Sequence, residues 1–345
     1  MANYADSVWN AAQYKLGPLM QQPEFKHKPS ATLMTLKKGG VSLIPASERE
    51  RVWNIKASDQ QVVEVNIINK QSTSAVTARA AAHTGSINDS TKATLTFVTR
   101  GRTFKYSVKQ ADRNIYQLGE MVAAQIRSAC IDLHGTLETY LLALLNTNKT
   151  SAVVSATPKS GTWDATNYLF QIANKDNNRA FQRVRGFMRE QYYAGELDSI
   201  VDEYFLQEAE HLMQQGVGNA TNYGWQFNGL GLNVSEELTT DAGYLGMGYV
   251  FPAGTVGFMD WVPQLNRSGF GDTFSIGGKY STMPDPLGSG LNFAVHQYAA
   301  AADNNSAAGE TQDIDVQVEI SLDVAFVKAI TSTGTPIVKF GLLES

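Results

Sequence analysis

Apolar residues fall at Ile115, Leu118, Val122, Ile126, Ala129, Leu133, Leu137, Tyr140 and Leu144, in steps of three and four. That is the period of one helix face. No proline interrupts residues 111–146, so the pattern predicts a single helix. At about 1.5 Å per residue it would span roughly 54 Å, more than the width of a compact domain. Upstream the period changes to two. Val63, Val65 and Ile67 alternate with Glu64 and Asn66, and Leu95, Phe97, Phe104, Tyr106 and Val108 supply a return. Residues 61–68 and 93–108 therefore read as a long hairpin with a bend at Gly101. Its tip, about residues 69–92, is rich in Ala, Ser, Thr and Asn. The last element is the sharpest alternation. Ile314, Val316, Val318, Ile320, Leu322, Val324 and Phe326 interleave with Asp313, Asp315, Gln317, Glu319, Ser321, Asp323 and Ala325, which predicts a strand with one core face and one acidic face. Phe293, Val295 and residues 297–298 are its expected partner strand.

Between these landmarks the pattern is less regular. Residues 1–57 carry Pro18, Pro23, Pro29, Pro45 and the pair Gly39-Gly40, and read as an extended arm with no helical period beyond the first 16 residues. So long an irregular lead is rare inside a packed domain, so the arm is expected to lie along something else. A second helical region covers residues 178–193, with Arg179, Arg183, Arg185 and Arg189 as a basic face, and a third covers residues 197–215. Residues 190–210 hold seven acids and no Lys or Arg, which fits a solvated helix face or an interface. From 216 to 290 the chain is rich in Gly and aromatics, the pattern of short strands and turns in a mixed α and β domain.

Length alone, 345 residues, suggests about two domains, and 43% hydrophobic residues allow sizeable cores. The single cysteine, Cys130, lies between Ala129 and Ile131 and reads as a small buried apolar residue; it forms no intrachain disulfide. The first residues lack the basic-then-apolar pattern of a signal peptide. The stretch 247–265 is broken by Pro252, Asp260 and Pro263 and cannot be a membrane helix. The net charge of -5 conceals a segregation. Residues 1–113 carry 16 Lys/Arg against 8 Asp/Glu, and the rest of the chain 12 against 25. Such asymmetry points to one part of a subunit attracting another part of its neighbour. No nucleic-acid reader motif accompanies the basic half.

Motifs for chemistry are lacking. The five histidines at 27, 83, 134, 211 and 296 are scattered. Glu208 and His211 share a helix face at i, i+3, the spacing of ordinary surface pairing. Gly229-Leu-Gly231 lacks the rest of a phosphate-binding loop, and Gly288-Ser-Gly290 falls short of a nucleophile elbow. Alternate carboxylates on the late strand, Asp313, Asp315, Glu319 and Asp323, stand about 7 Å apart, too far for one ion without loop ligands. Neither catalytic, cofactor nor metal residues are assigned, and a sugar- or nucleotide-processing enzyme is disfavoured.

The order of parts carries a resemblance. An extended N-terminal arm, a long two-stranded loop, a spine-like helix, a mixed Gly/aromatic domain and a final alternating strand together resemble the major capsid protein of tailed bacteriophages, the Hong Kong 97 fold. Tyr249-Val-Phe-Pro-Ala-Gly-Thr-Val-Gly-Phe-Met-Asp-Trp261 and Gly224-Trp-Gln-Phe-Asn-Gly229 resemble axial-domain strands of that family. The resemblance implies an α+β fold with residues 1–57 as N-terminal arm, 58–109 as E-loop hairpin and 110–159 as peripheral domain with the spine helix. Residues 160–290 would be the axial domain, and 291–345 the return to the peripheral domain. It also implies a non-enzymatic subunit that self-assembles, as hexamers and pentamers, into an icosahedral shell around double-stranded DNA touched non-specifically. The shell would form in the bacterial host cytoplasm and end in the virion, away from any membrane. No long helical scaffolding segment precedes the arm, so scaffolding would be separate or absent, and portal and decoration proteins are possible partners. Lys70 and Lys92 flank the loop tip without a nearby catalytic acid, so no covalent cross-link is expected. Encapsulin compartments share the fold and are the alternative. The subunit-interface residues expected from charge are Arg79, Lys92, Arg100, Arg102 and Lys105 on the hairpin. Facing them from a neighbour would be Glu203, Glu210, Asp313, Asp315, Glu319 and Asp323.

Overall fold

The computed structural model describes residues 2–21, 30–44, 46–56, 62–67, 91–107, 114–154, 157–215, 225–227, 229–270, 278–301, 314–329 and 335–344. The N-terminal part holds α1 (Ala2–Gln21), α2 (Ala31–Leu43) and α3 (Ala46–Lys56). Strands β1 (Val62–Ile67), β2 (Thr91–Thr96) and β3 (Val98–Ser107) lead to α4 (Ile115–Thr147). Then come β4 (Thr162–Asp164), β5 (Leu169–Ile172), α5 (Ala180–Glu190), β6 (Leu197–Val201), α6 (Glu203–Gln215), β7 (Trp225–Phe227) and β8 (Leu230–Val234). The rest is β9 (Tyr244–Pro252), β10 (Val256–Trp261), α7 (Gln264–Ser268), β11 (Lys279–Pro284), β12 (Asn292–Ala301), β13 (Ile314–Lys328) and β14 (Val338–Leu343).

In its described residues the expected extended arm is largely helical. Val8, Trp9, Ala12 and Leu16 are buried on one face of α1, and Pro18 lies in its last turn, where a missing N–H removes little of the ladder. Gly39-Gly40 lies inside α2. A Cβ on Gly39 would strike the Val256 carbonyl and one on Gly40 the Phe258 carbonyl. The glycines thus serve close packing of α2 on β10 rather than a break in the chain.

Two compact units divide the chain. The first comprises Met1–Met34, Phe97–Glu138 and Asp260–Ala325; the second comprises Thr35–Thr96, Thr139–Met259 and Phe326–Ser345. In the first, β13 is hydrogen-bonded antiparallel to β12, as expected, and to β3 on its other side; β11 extends the sheet beyond β12. Ile320 stands opposite Val295 and Arg102, Val318 opposite Gln297 and Phe104, and Val316 opposite Tyr106. Val316, Val318, Ile320 and Leu322 are all buried. Helix α4 lies on this face. Its His134 ring meets Phe293 edge-on at 6.2 Å, and Arg102 Nη2 donates to Thr136 Oγ1 at 2.6 Å. Gly119 lets α1 approach: a Cβ there would come within 3.0 Å of the Ala11 Cβ.

Helix α4 carries the predicted stripe as far as Leu137, with Leu118, Val122, Ile126, Leu133 and Leu137 all buried. Past that point the phase differs. Leu141 and Leu145 are fully buried, while Tyr140 and Leu144 are only half-buried. Both members of each adjacent pair are apolar, so periodicity cannot choose between i+3 and i+4 and the neighbours decide. The hairpin return is also divided. Strand β2 pairs with β1 as a two-stranded sheet, and β3 pairs with β13 instead. The break falls at Phe97, and Gly101 sits inside β3 against Ser321, so it is no bend.

In the second unit seven strands run in the order β4-β5-β14-β9-β6-β8-β7. The expected helix at 197–215 is a strand followed by a helix. Leu197, Ile200 and Val201 are buried in β6 between β8 and β9. Asp202 then starts α6, its Oδ1 accepting from Phe205 N at 3.2 Å, an N-terminal cap. Helices α5 and α6 cover the sheet through Phe181, Val184, Phe187, Phe205 and Ala209. Phe187 stacks on Phe170 at 4.2 Å, and Phe205 meets Phe340 at 5.3 Å. The alternating strand is not the final element, since β14 follows it and joins this second sheet between β5 and β9.

Candidate subunit interface

Strand alternation places the acids of β13 and Lys105 of β3 on one face, while Arg100 and Arg102 stand opposite Leu322 and Ile320 on the other. Asp315 stands opposite Ser107, Gln317 opposite Lys105, Glu319 opposite Thr103 and Asp323 opposite Thr99. Lys105 Nζ lies 3.8 Å from Asp315 Oδ2, with the lysine side chain 72% exposed. Thr99 Oγ1 donates to Asp323 Oδ1 at 2.6 Å. Arg100 stands opposite Leu322 and donates to its neighbour's carbonyl, Thr99 O, at 3.3 Å. Arg102 is bonded to Thr136 of α4. Within one chain, therefore, β3 already meets the acidic face of β13, which the hairpin reading of 93–108 had concealed. Lys92 lies in β2 opposite Asn66. Glu203 opens α6 and Glu210 sits two turns on, both exposed. Arg79 and Asp313 lie outside the described residues.

The basic face of α5 borders a cavity of about 360 Å³ lined by Arg179, Gln182, Arg185 and Arg189 over Phe181 and Leu212. Arg183 is turned to Asp176 at 3.1 Å. The helical spacing of these arginines was legible in the sequence; the cavity beside them was not.

A buried polar cluster links α4 to the turn after β11. His134 Nε2 lies 2.9 Å from Asp285 Oδ2, both side chains almost wholly buried. Ser289 Oγ donates to the same oxygen, and Leu287 N donates to Asp285 Oδ1 at 3.0 Å. Burial pushes the Asp285 carboxyl up, and the hydrogen bonds from His134 and Ser289 outweigh it, so the group sits below the usual carboxylate range. Serine and histidine both address the carboxylate rather than each other, so the set lacks the nucleophile–base contact of acyl transfer. Cys130, one turn away, is buried, and desolvation pushes its thiol up to about 12, which leaves it unreactive. Among the described residues no group of three His, Cys, Asp or Glu could hold a metal ion, and no helix is long and apolar enough to cross a membrane.

The arrangement is that of an α+β protein in which a 33-residue helix serves a sheet tied together from distant parts of the chain. No family model and no curated protein matches the sequence. Among solved structures the chain is similar to the Cyanophage A-1(L) capsid asymmetric unit, at 11% identity over 93% of this chain and 98% of that one, with a TM-score of 0.49. It is similar to a structure from Mycobacterium phage Bobi at 14% identity over 94% of each chain, TM-score 0.47. It is also similar to the capsid structure of the Cyanophage P-SCSP1u, at 11% identity over 83% of this chain and 84% of that one, TM-score 0.44.

Proposed function

We propose that this chain is the major capsid protein of a tailed bacteriophage, the repeating subunit of an icosahedral head shell around double-stranded DNA, with no catalytic step of its own. The observation that carries this reading is the connection between its parts. The chain runs from the two-stranded sheet β1–β2 directly into β3, which β13 binds from more than 200 residues later along the whole register while α4 lies over their apolar face. A separate seven-stranded sheet is built largely from the intervening sequence. That is the order of E-loop, spine helix, axial domain and peripheral return in the family it resembles. A two-stranded sheet is marginal in water by itself; α3 lies against β1, with Arg51 Nη2 donating to Glu64 O, and a neighbour's surface would add to that support.

In this reading residues 58–109 reach a neighbour, residues 160–290 form the axial domain, and the remainder forms the arm and peripheral domain. Arg79 and Lys92 of the hairpin would meet a neighbour's acids, with Glu203 and Glu210, exposed on α6, as the counterparts. Hexamers and pentamers of the chain make the shell; scaffolding, portal and decoration proteins would be separate chains.

Sedimentation and electron microscopy of the purified protein test the reading. Closed particles of megadalton size are expected, and particles from infected cells should hold double-stranded DNA. A small oligomer with no particles in any condition overturns it, and shells filled with a protein cargo instead of DNA favour a nanocompartment. Assembly should weaken between low salt and 1 M, where the screening length falls to about 3 Å. Salt-independent assembly would assign the contacts to apolar surface.

A further inference from the structure

We infer that the arginine-lined cavity on α5 receives the acidic turn Glu236-Glu237 of a second copy of this chain. The inference rests on the shell-subunit reading and names one contact within it.

Arg179, Arg185 and Arg189 surround the cavity, and among the described residues no carboxylate lies within ion-pair distance of any of them. Arg183, on the same helix, does have one. The nearby acids are engaged elsewhere. Glu190 accepts from Lys159 N at 3.0 Å and Ser160 Oγ at 2.7 Å, and Glu208 accepts from Asn177 Nδ2 at 2.9 Å. Three guanidinium groups beside a concave, partly apolar floor of Phe181 and Leu212 suit a carboxylate carried on a peptide. A duplex presents its phosphates on a convex ridge that a cavity of about 360 Å³ does not admit. Residues 139–259 also carry 12 Asp/Glu against 7 Lys/Arg, so a polyanion meets net repulsion there.

The complementary group is on the same unit at the wrong end to serve its own chain. The cavity borders the start of β8, since a Cβ on Gly229 would have Arg185 Nη2 as its neighbour at 3.7 Å. Strand β8 then runs for five residues, about 16 Å at the usual rise, and its far end leads into Ser235, Glu236 and Glu237. Both glutamates are exposed. Among the described residues Glu237 accepts only a long bond of 3.3 Å, from Thr139 Oγ1. A cation cavity and an acidic turn at opposite ends of one strand fit a head-to-tail contact, in which each copy receives at one end and donates at the other. Repeated by rotation, such a contact closes a ring.

Disulfide trapping tests the contact without depending on shells. Full-length Gln182→Cys and Glu236→Cys are mixed and treated with a mild oxidant; the native Cys130 is buried and stays silent. Covalent dimers are expected from the mixture and not from either variant alone. Their absence overturns the inference. Dimers without particles would retain the contact while refuting the shell reading, and particles without dimers would do the reverse. In parallel, Arg185→Glu or Glu236→Arg should raise the concentration needed for association by about tenfold or more, and the double exchange should restore it. If Arg185→Glu associates normally but the particles hold less nucleic acid, the cavity binds phosphate and the inference is overturned.

Discussion

Ile320→Ala probes the junction on which the architecture depends. Ile320 has no exposed surface and stands in mid-strand opposite Val295 and Arg102, under the helix whose His134 and Thr136 reach Phe293 and Arg102 from the same face. The change deletes three carbon groups. At about 0.8 kcal/mol for each buried group the lost transfer energy is roughly 2.4 kcal/mol. The flanking strands are fixed by ladders on both sides, so the hole cannot close fully. A residual cavity of roughly 50 Å³ at about 24 cal/mol per Å³ adds about 1.2 kcal/mol. The expected loss is therefore about 3.5 kcal/mol. In urea titrations of unassembled subunits, read by tryptophan fluorescence, a slope of about 3 kcal/mol per molar turns this into a midpoint drop of about 1 M. Gln317→Ala is the control. It lies in the same strand but is exposed on the other face, and surface changes of this kind stay within about 0.5 kcal/mol. Equal midpoints for the two variants would refute the assignment of the apolar face of β13 to the core beneath α4.

Asp285→Asn should cost about 1.5–3 kcal/mol at pH 7, because His134 and Ser289 lose their charged acceptor in a buried site. The folded Asp285 carboxyl lies below its ordinary value, so its contribution is present above that value and is lost as pH falls through the folded one. The gap between wild type and variant should accordingly shrink below about pH 4; a gap of the same size at pH 7 and pH 3 would refute the charge argument. Gly40→Val should destabilise by about 1–3 kcal/mol or more, since its side chain would strike the Phe258 carbonyl. Thermal melting checks this, and an unchanged midpoint would mean that α2 does not need its close approach to β10.

Elements whose period is local and long could be read from the order of residues alone. The stripe from Leu118 to Leu137 and the alternation from Val316 to Val324 were each readable because one face of each is buried over its whole length, and burial imposes the period. The β12–β13 pairing followed from proximity in the chain and matching patterns. Whatever depends on distant partners was set by packing. Pro18 and Gly39-Gly40 read as breaks, yet α1 and α2 run through them, because Val8, Trp9, Ala12 and Leu16 bury a face and the glycines admit a neighbouring strand. Residues 197–201 carry apolar positions that fit either period; their burial between β8 and β9 selects strand, and Asp202 then caps the helix. The choice of Leu141 and Leu145 over Tyr140 and Leu144 came from packing alone. So did the division of the hairpin at Phe97 and the convergence of His134, Asp285 and Ser289 from two segments about 150 residues apart. Local periodicity records which face of an element is buried. It holds no information about which remote element does the burying, and that pairing is what places β3 beside β13 and opens the arginine cavity on α5.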